Sequence, residues 1–252
     1  MIRFSGLAVG IVVLAGAVGA AQAPAGGGQP PPPPPMTNLQ ILPKDMPRPQ
    51  VIATMQAFTQ SLGVACNYCH VQEGRGGRND FASDEKAPKK AARGMMILAR
   101  DVNAKLPEAV GKAADATTRV GCATCHRGVP IPKQIADVVA DASATGGSAA
   151  GLAKFKELRE KFYGGQSYDF SEGGLLAVAQ RAQTANKTDD AIAYLQANLE
   201  YYPKSARTYV AMAQLKNGKG DKAGAITALE KAVELDPANA QAKAQLENLK
   251  KN

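Results

Sequence analysis

Cys66-Asn67-Tyr68-Cys69-His70 and Cys122-Ala123-Thr124-Cys125-His126 use every cysteine and every histidine of the chain, four of the first and two of the second. A Cys-x-x-Cys-His pentapeptide is the attachment signature of a c-type haem. The two thiols add across the haem vinyl groups, and the adjacent histidine is then placed to bind the iron. The pattern implies two covalent haem c groups, one on Cys66 and Cys69, the other on Cys122 and Cys125. His70 and His126 each supply one axial ligand. Two disulfides are the rival use of four cysteines in an oxidising compartment, but they do not account for a histidine directly after each pair.

The exhaustion of the histidines constrains the other side of each iron. No third histidine exists, so neither haem is bis-histidine within this chain. The sixth position falls to methionine, lysine, a small molecule or nothing. Met1 lies in the leader, Met36 and Met46 in or near the N-terminal tether, and Met212 in the C-terminal region. Met55, Met95 and Met96 remain. Met55 lies on a predicted helix that ends just before the first motif, and Met95 and Met96 on one between the two motifs. Helical methionines commonly fill cores, so on the residues alone the ligand and core readings both stand.

Outward from the motifs, the chain divides into five segments. In residues 1–23, Arg3 precedes an apolar run from Leu7 to Val18, followed by Ala20, Ala21 and Ala23. This is the pattern of a secretory signal peptide. Its apolar run is shorter than the roughly 20 residues of a membrane span. Export predicts a periplasmic protein. Residues 24–36 are a Pro/Gly-rich tether, in which Pro30 to Pro35 enforces extended polyproline II. Residues 37–132 hold both motifs and form the diheme domain. Within it, helices are expected over Gln50–Leu62, closed by Gly63 as a C-cap, and over Ala87–Leu106, capped by Ser83 or Asp84 and ended by Pro107. Glu73 to Asn79 reads as a glycine-rich loop. No strand precedes it and no Gly-Lys-Ser/Thr comes after it, so it is not a phosphate loop.

Residues 133–170 read as a connector, small and flexible from Ala142 to Gly151, with a short amphipathic helix over Ala153–Tyr163. In residues 171–252 a period of about 34 residues appears. Leu175 aligns with Tyr209, Val178 with Met212, Ala179 with Ala213, Ala191 with Ala225, Leu195 with Leu229, and Pro203 with Pro237. This resembles the tetratricopeptide repeat, which packs small residues where its two helices cross. Asn198 stands where that pattern has alanine, and Lys216 where it has an aromatic. Residues 239–252 read as a polar capping helix. The fold class is therefore all-α: a helical diheme cytochrome c domain followed by a small tetratricopeptide-like helical repeat domain.

Further stretches carry a second resemblance. They are Asn38-Leu39-Gln40-Ile41-Leu42, Asp80-Phe81-Ala82-Ser83-Asp84-Glu85-Lys86, Ala92-Arg93-Gly94-Met95 and Arg100-Asp101-Val102-Asn103. The motifs themselves extend to Val71 and to Arg127-Gly128-Val129-Pro130. Together they resemble the haem-binding half of the cytochrome c subunit of photosynthetic reaction centres. The resemblance implies that a methionine on the helix before each motif is the sixth ligand. It places these ligands at Met55 and Met95, with Met96 as the fallback. The chain departs from that family in three respects. It has two haem motifs where the family subunit usually has four, it lacks a histidine shortly before the second motif, and it lacks a lipid-bearing N-terminal cysteine. The repeat region is also foreign to the family pattern.

His/Met ligation raises the haem potential relative to bis-histidine, and six-coordinate iron leaves no open site for substrate. Both favour one-electron transport over catalysis. A diheme peroxidase-like enzyme with one open axial site is the alternative; Arg93 or Glu85 could be invoked as its distal groups, but both read more simply as surface charge near a helix start. The formal net charge of +8 reads as a solvated surface, and it is compatible with a docking face for an acidic redox partner in the periplasm or at the membrane. An exported haem protein has no reason to meet nucleic acid. Helical repeats present concave binding surfaces, so the C-terminal region is expected to dock a protein partner.

Overall fold

In the computed structural model, residues 35–74 and 77–251 are described. The expected signal peptide and residues 24–34 of the tether lie outside them. The chain divides into two units, Met1–Met36 and Thr37–Asn252, and every described helix belongs to the second. Among the described residues the fold is helical, with one two-stranded hairpin.

Helix α1 spans Arg48–Leu62 and ends on Gly63, which takes φ 64° and ψ 36°. This left-handed conformation is open to glycine and strained for other residues. Helix α2 spans Ala87–Val110. It begins after Lys86 without a side-chain cap, and so differs from the expected capping by Ser83 or Asp84. Asp84 is instead held by Arg93 and Lys89. Nor does Pro107 end α2, which continues through Glu108 and Ala109 to Val110 before closing on Gly111. The Pro107 carbonyl there accepts from the Lys112 N–H at 3.0 Å. Between α1 and α2, strands β1 (Val71–Gln72) and β2 (Asn79–Asp80) pair antiparallel, Val71 opposite Asp80. A strand thus does precede the expected glycine-rich loop, and Asn79 at its end belongs to β2; of its remaining described residues, Glu73 donates its N–H to the Arg78 carbonyl at 3.1 Å. Helix α3 spans Cys122–His126.

The segment expected as connector is mostly helix. Helix α4 runs over Ile135–Phe162, interrupted by non-helical Gly146 and Gly147 (φ 61°). Its second half therefore starts earlier than the expected Ala153, and the run from Ala142 to Gly151 is helical on both sides of the break. Asp190 accepts from the Ser148 N–H at 3.0 Å and so caps that second half. Small residues here serve close packing: Ser143 is bonded to the Tyr194 hydroxyl, and a Cβ on Gly151 would lie 2.2 Å from that same hydroxyl.

Two helix pairs come next, α5 (Glu172–Thr184) with α6 (Thr188–Tyr201) and α7 (Ala206–Gly218) with α8 (Lys222–Leu235); α9 (Ala240–Lys251) covers the end. The positions aligned by period are equivalent in the packing. Ala191 and Ala225 are fully buried, and so nearly are Ala179 and Ala213, Leu195 and Leu229. One core joins α4, α5, α6 and the Met212 side of α7; a second joins Ala213 to α8 and α9. Asn198 is fully buried. Its amide donates to the Glu172 carbonyl at 3.1 Å and to Thr208 Oγ1 at 2.8 Å. A polar link between successive pairs thus takes the place of the alanine expected there.

Candidate haem-binding site

The two Cys-x-x-Cys-His motifs adopt different local structures. Cys66–Tyr68 forms a single 3-10 turn, with the His70 N–H donating to the Cys66 carbonyl at 3.0 Å. The second motif is the whole of α3, succeeded by Arg127 at φ 48° and Gly128 at φ 85°. All four thiols are free, Cys66 and Cys125 exposed, Cys69 and Cys122 half-buried. His126 Nδ1 bonds the Val129 carbonyl at 3.0 Å, which leaves Nε2 as the ring nitrogen free to face a metal. His70 is buried, with its Nδ1 unpartnered among the described residues. The Phe81 and His70 rings form a T-shaped pair with 4.9 Å between centroids. Burial pushes the His70 imidazole below its ordinary range, and the nearby Lys89 charge acts in the same sense.

The packing around these motifs is what a large apolar cofactor would complete. From 35 to 132, the only buried residues among those described are Val51, His70 and Val129. Helix α2 has 24 residues and buries none. Along it Met95, Leu98 and Val102 are exposed, and Ile52, Tyr68 and Phe81 are exposed nearby in sequence. Isolated helices are marginal in water, and most helical stability in proteins comes from packing an apolar face. Among the described residues, no three or more His, Cys, Asp or Glu gather as an ion site. The residues fit the haem group.

Of the expected sixth ligands, Met55 is half-buried on α1, Met95 is 50% exposed on α2, and Met96 beside it is half-buried. Helix α1 packs against α3, the helix that carries His126. The approach is close: the Gly128 N–H donates to the Ser61 carbonyl at 2.9 Å. The buried Ser167 hydroxyl donates to the Arg127 carbonyl at 2.6 Å, tying the end of the second motif to the α4–α5 loop.

Two further groups escape a reading of motifs. Asp84 takes both Arg93 guanidinium nitrogens, at 2.8 and 2.9 Å, the Asn38 amide at 2.9 Å and the Gln40 amide at 3.1 Å. Lys89 donates to the carbonyls of Phe81 (2.9 Å), Ala82 (3.2 Å) and Ser83 (2.7 Å). The N-terminal segment, the loop after β2 and α2 are held together through these side chains. Arg93 is thus committed to Asp84, which weakens its candidacy as a distal group. The Arg93 guanidinium holds the Asp84 carboxyl well below the usual carboxylate range, with Lys89 acting in the same sense. A depressed folded-state pKa gives stability that is present above the ordinary carboxylate range and is lost as pH falls below it. Asp84→Asn is therefore expected to lower Tm at neutral pH and to flatten the loss of Tm on acidification. Melting curves from neutral pH to below pH 4 check this, and parallel wild-type and variant curves would contradict it.

The fold and the two motifs define a c-type haem protein joined to helical repeats. The family model of the photosynthetic reaction centre cytochrome c subunit matches residues 16–220, and a tetratricopeptide repeat model matches residues 206–239. The chain belongs to the reaction centre cytochrome c subunit family. Cytochrome c-554 of Chloroflexus aurantiacus is 42% identical over 98 residues, 37% of this chain and 20% of that protein. The photosynthetic reaction center cytochrome c subunit of Thermochromatium tepidum is 40% identical over 98 residues, 38% of this chain and 21% of that one. The chain thus spans about a fifth of the length of these relatives. Among solved structures, the translocator chaperone SycD of Yersinia enterocolitica is similar with a TM-score of 0.34 and 16% identity, over 52% of this chain and 87% of that one. The family binds covalent haem c, and the two attachment motifs of this chain fit that group. Among the described residues, no helix is long and apolar enough to cross a membrane.

Proposed function

We propose that the protein is a periplasmic one-electron carrier with two covalent haem c groups. One is bonded to Cys66 and Cys69 with His70 as axial ligand, the other to Cys122 and Cys125 with His126. Met55 and Met95 supply the sixth ligands, Met96 being the fallback for Met95. The observation that carries the reading is the unburied apolar surface of residues 35–132 around two complete attachment motifs. Bound haem supplies a ferric/ferrous couple. The chain's own residues anchor it, orient the imidazoles and cover its faces against water. A thioether opposite histidine favours the ferrous state and raises the potential.

The ligand assignment is tested by Met55→Ala and Met95→Ala. Each is expected to lower the midpoint of one haem by a sizeable part of the ~0.8 V span that axial ligands cover. Each should also remove that haem's methionine–iron charge-transfer absorption. Unchanged midpoints in either variant would refute that ligand.

The division into a haem domain over 37–132 and repeats over 171–252 belongs to the same reading, with the repeats docking a redox partner. Helical repeats mediate contacts through extended surfaces, and the basic chain favours an acidic partner. Cross-links between the holoprotein and its redox partner are expected on α5–α9. Cross-links confined to residues 37–132 would refute docking by the repeats.

A further inference from the structure

We propose that Phe81 is the positioning residue of His70, and that the two axial imidazoles are held by different means, so that the haem at His70 has the higher potential. This rests on the reading of His70 and His126 as axial ligands.

The register of the small hairpin carries the argument. Val71 pairs with Asp80 and Gln72 with Asn79. Continuing the antiparallel ladder by one residue sets His70 opposite Phe81. Directly opposed side chains are near enough to interact across a ladder. The rings form a T-shaped pair at 4.9 Å and 71°, a favourable aromatic arrangement. Lys89 fixes the far side of this contact. Its ammonium binds the carbonyls of Phe81, Ala82 and Ser83 from a side chain only 11% exposed. The His70 ring is therefore oriented by a T-shaped aromatic contact on a clamped loop.

His126 is oriented by a carbonyl. Its Nδ1 bonds Val129 at 3.0 Å, and Val129 is itself buried. A carbonyl that accepts Nδ1–H makes the imidazole a stronger donor through its other nitrogen. A stronger donor favours ferric iron and lowers the potential. His70 has no such acceptor among the described residues, so its ring donates less strongly. The His70 Nδ1 is a buried atom, and Phe81 packs against its ring; removing the Phe81 ring would open that nitrogen to water, which can act as the acceptor. Both motifs carry the same five-residue signature. They differ in the chain immediately downstream: a hairpin after His70, and a left-handed turn through Arg127 and Gly128 after His126.

A potentiometric titration of the holoprotein followed by NMR of its two 15N-labelled histidines tests this. Contacts to the Phe81 ring identify His70. The expected result is that the His70 haem has the higher midpoint. In Phe81→Ala that midpoint falls and the His70 Nδ1–H acquires a solvent-bonded shift, while the His126 haem is unmoved. Phe81→Tyr restores the wild-type value. A higher midpoint at His126, or a Phe81→Ala variant that moves neither midpoint or both equally, overturns the inference while leaving two axial histidines in place. A holoprotein with only one haem overturns the underlying reading, and the inference with it.

Discussion

Replacing Cys66, Cys69, Cys122 and Cys125 together by alanine is expected to leave α1 and α2 without protected amides while α5 to α8 keep theirs. The two regions differ in what packs them. Helix α2 buries none of its 24 residues, and α1 buries only Val51. Chain contacts alone give these helices too little apolar burial to offset the backbone entropy of ordering them, about 1–2 kcal/mol per residue. The repeats, by contrast, bury Leu175, Val178, Leu195 and Leu229 almost completely. Their stability comes from contacts between neighbouring helices. Hydrogen exchange of the variant therefore separates the two. Fast exchange over residues 48–110 with slow exchange over 172–235 is the expected result. Protected amides in α2 without haem would contradict it.

The second large effect is expected at Gly63. Both α1 and α2 close on a left-handed glycine, Gly63 at φ 64° and Gly111 at φ 63°. Any L-residue there meets the same backbone penalty, roughly 1–2 kcal/mol. Their surroundings differ. A Cβ on Gly111 meets nothing within 4 Å, whereas one on Gly63 would lie 2.2 Å from the Gly128 carbonyl oxygen. That oxygen is backbone and cannot rotate away. Relief requires α1 to move off the turn after α3, breaking the bond from Gly128 to Ser61, worth about 0.5–1.5 kcal/mol. Gly111→Ala is thus expected to cost only the backbone penalty, and Gly63→Ala about 2 kcal/mol or more beyond it, adding strain to the lost bond. Denaturant midpoints of the two holoproteins measure the difference. Equal losses would show that the α1–α3 approach does not depend on this glycine.

Much of this architecture is legible in the residues because it comes from short-range chemistry. Gly63 after an amphipathic run marks a helix end, and Ala191 and Ala225 mark helix crossings because only small residues permit the approach. The parts that were hidden depend on distant partners. The break at Gly146 and Gly147 lies in a stretch of small residues that reads as a flexible linker. It is helical because Ser143 and Gly151 pack against Tyr194, some forty to fifty residues on. Helix α2 runs through Pro107, since a proline near the last turn removes only one hydrogen bond. The hairpin that brings Phe81 to His70 has two residues per strand, too short to show alternation. Asp84 resembles a cap by position, yet it bonds Arg93, Asn38 and Gln40. Local rules do not choose between a cap and a long-range clasp. The proposed attachment residues are the most legible of all, since covalent attachment would fix their spacing. The proposed sixth ligands are the least, because a methionine on a helix serves a core equally well.

Ferric-state spectroscopy of the purified holoprotein, with its haem content measured, tests the electron-carrier account most directly. Two haems per chain are expected, both low-spin, each with the charge-transfer absorption of a methionine–iron bond. A high-spin ferric haem in the intact protein would contradict it and favour an enzyme with an open axial site.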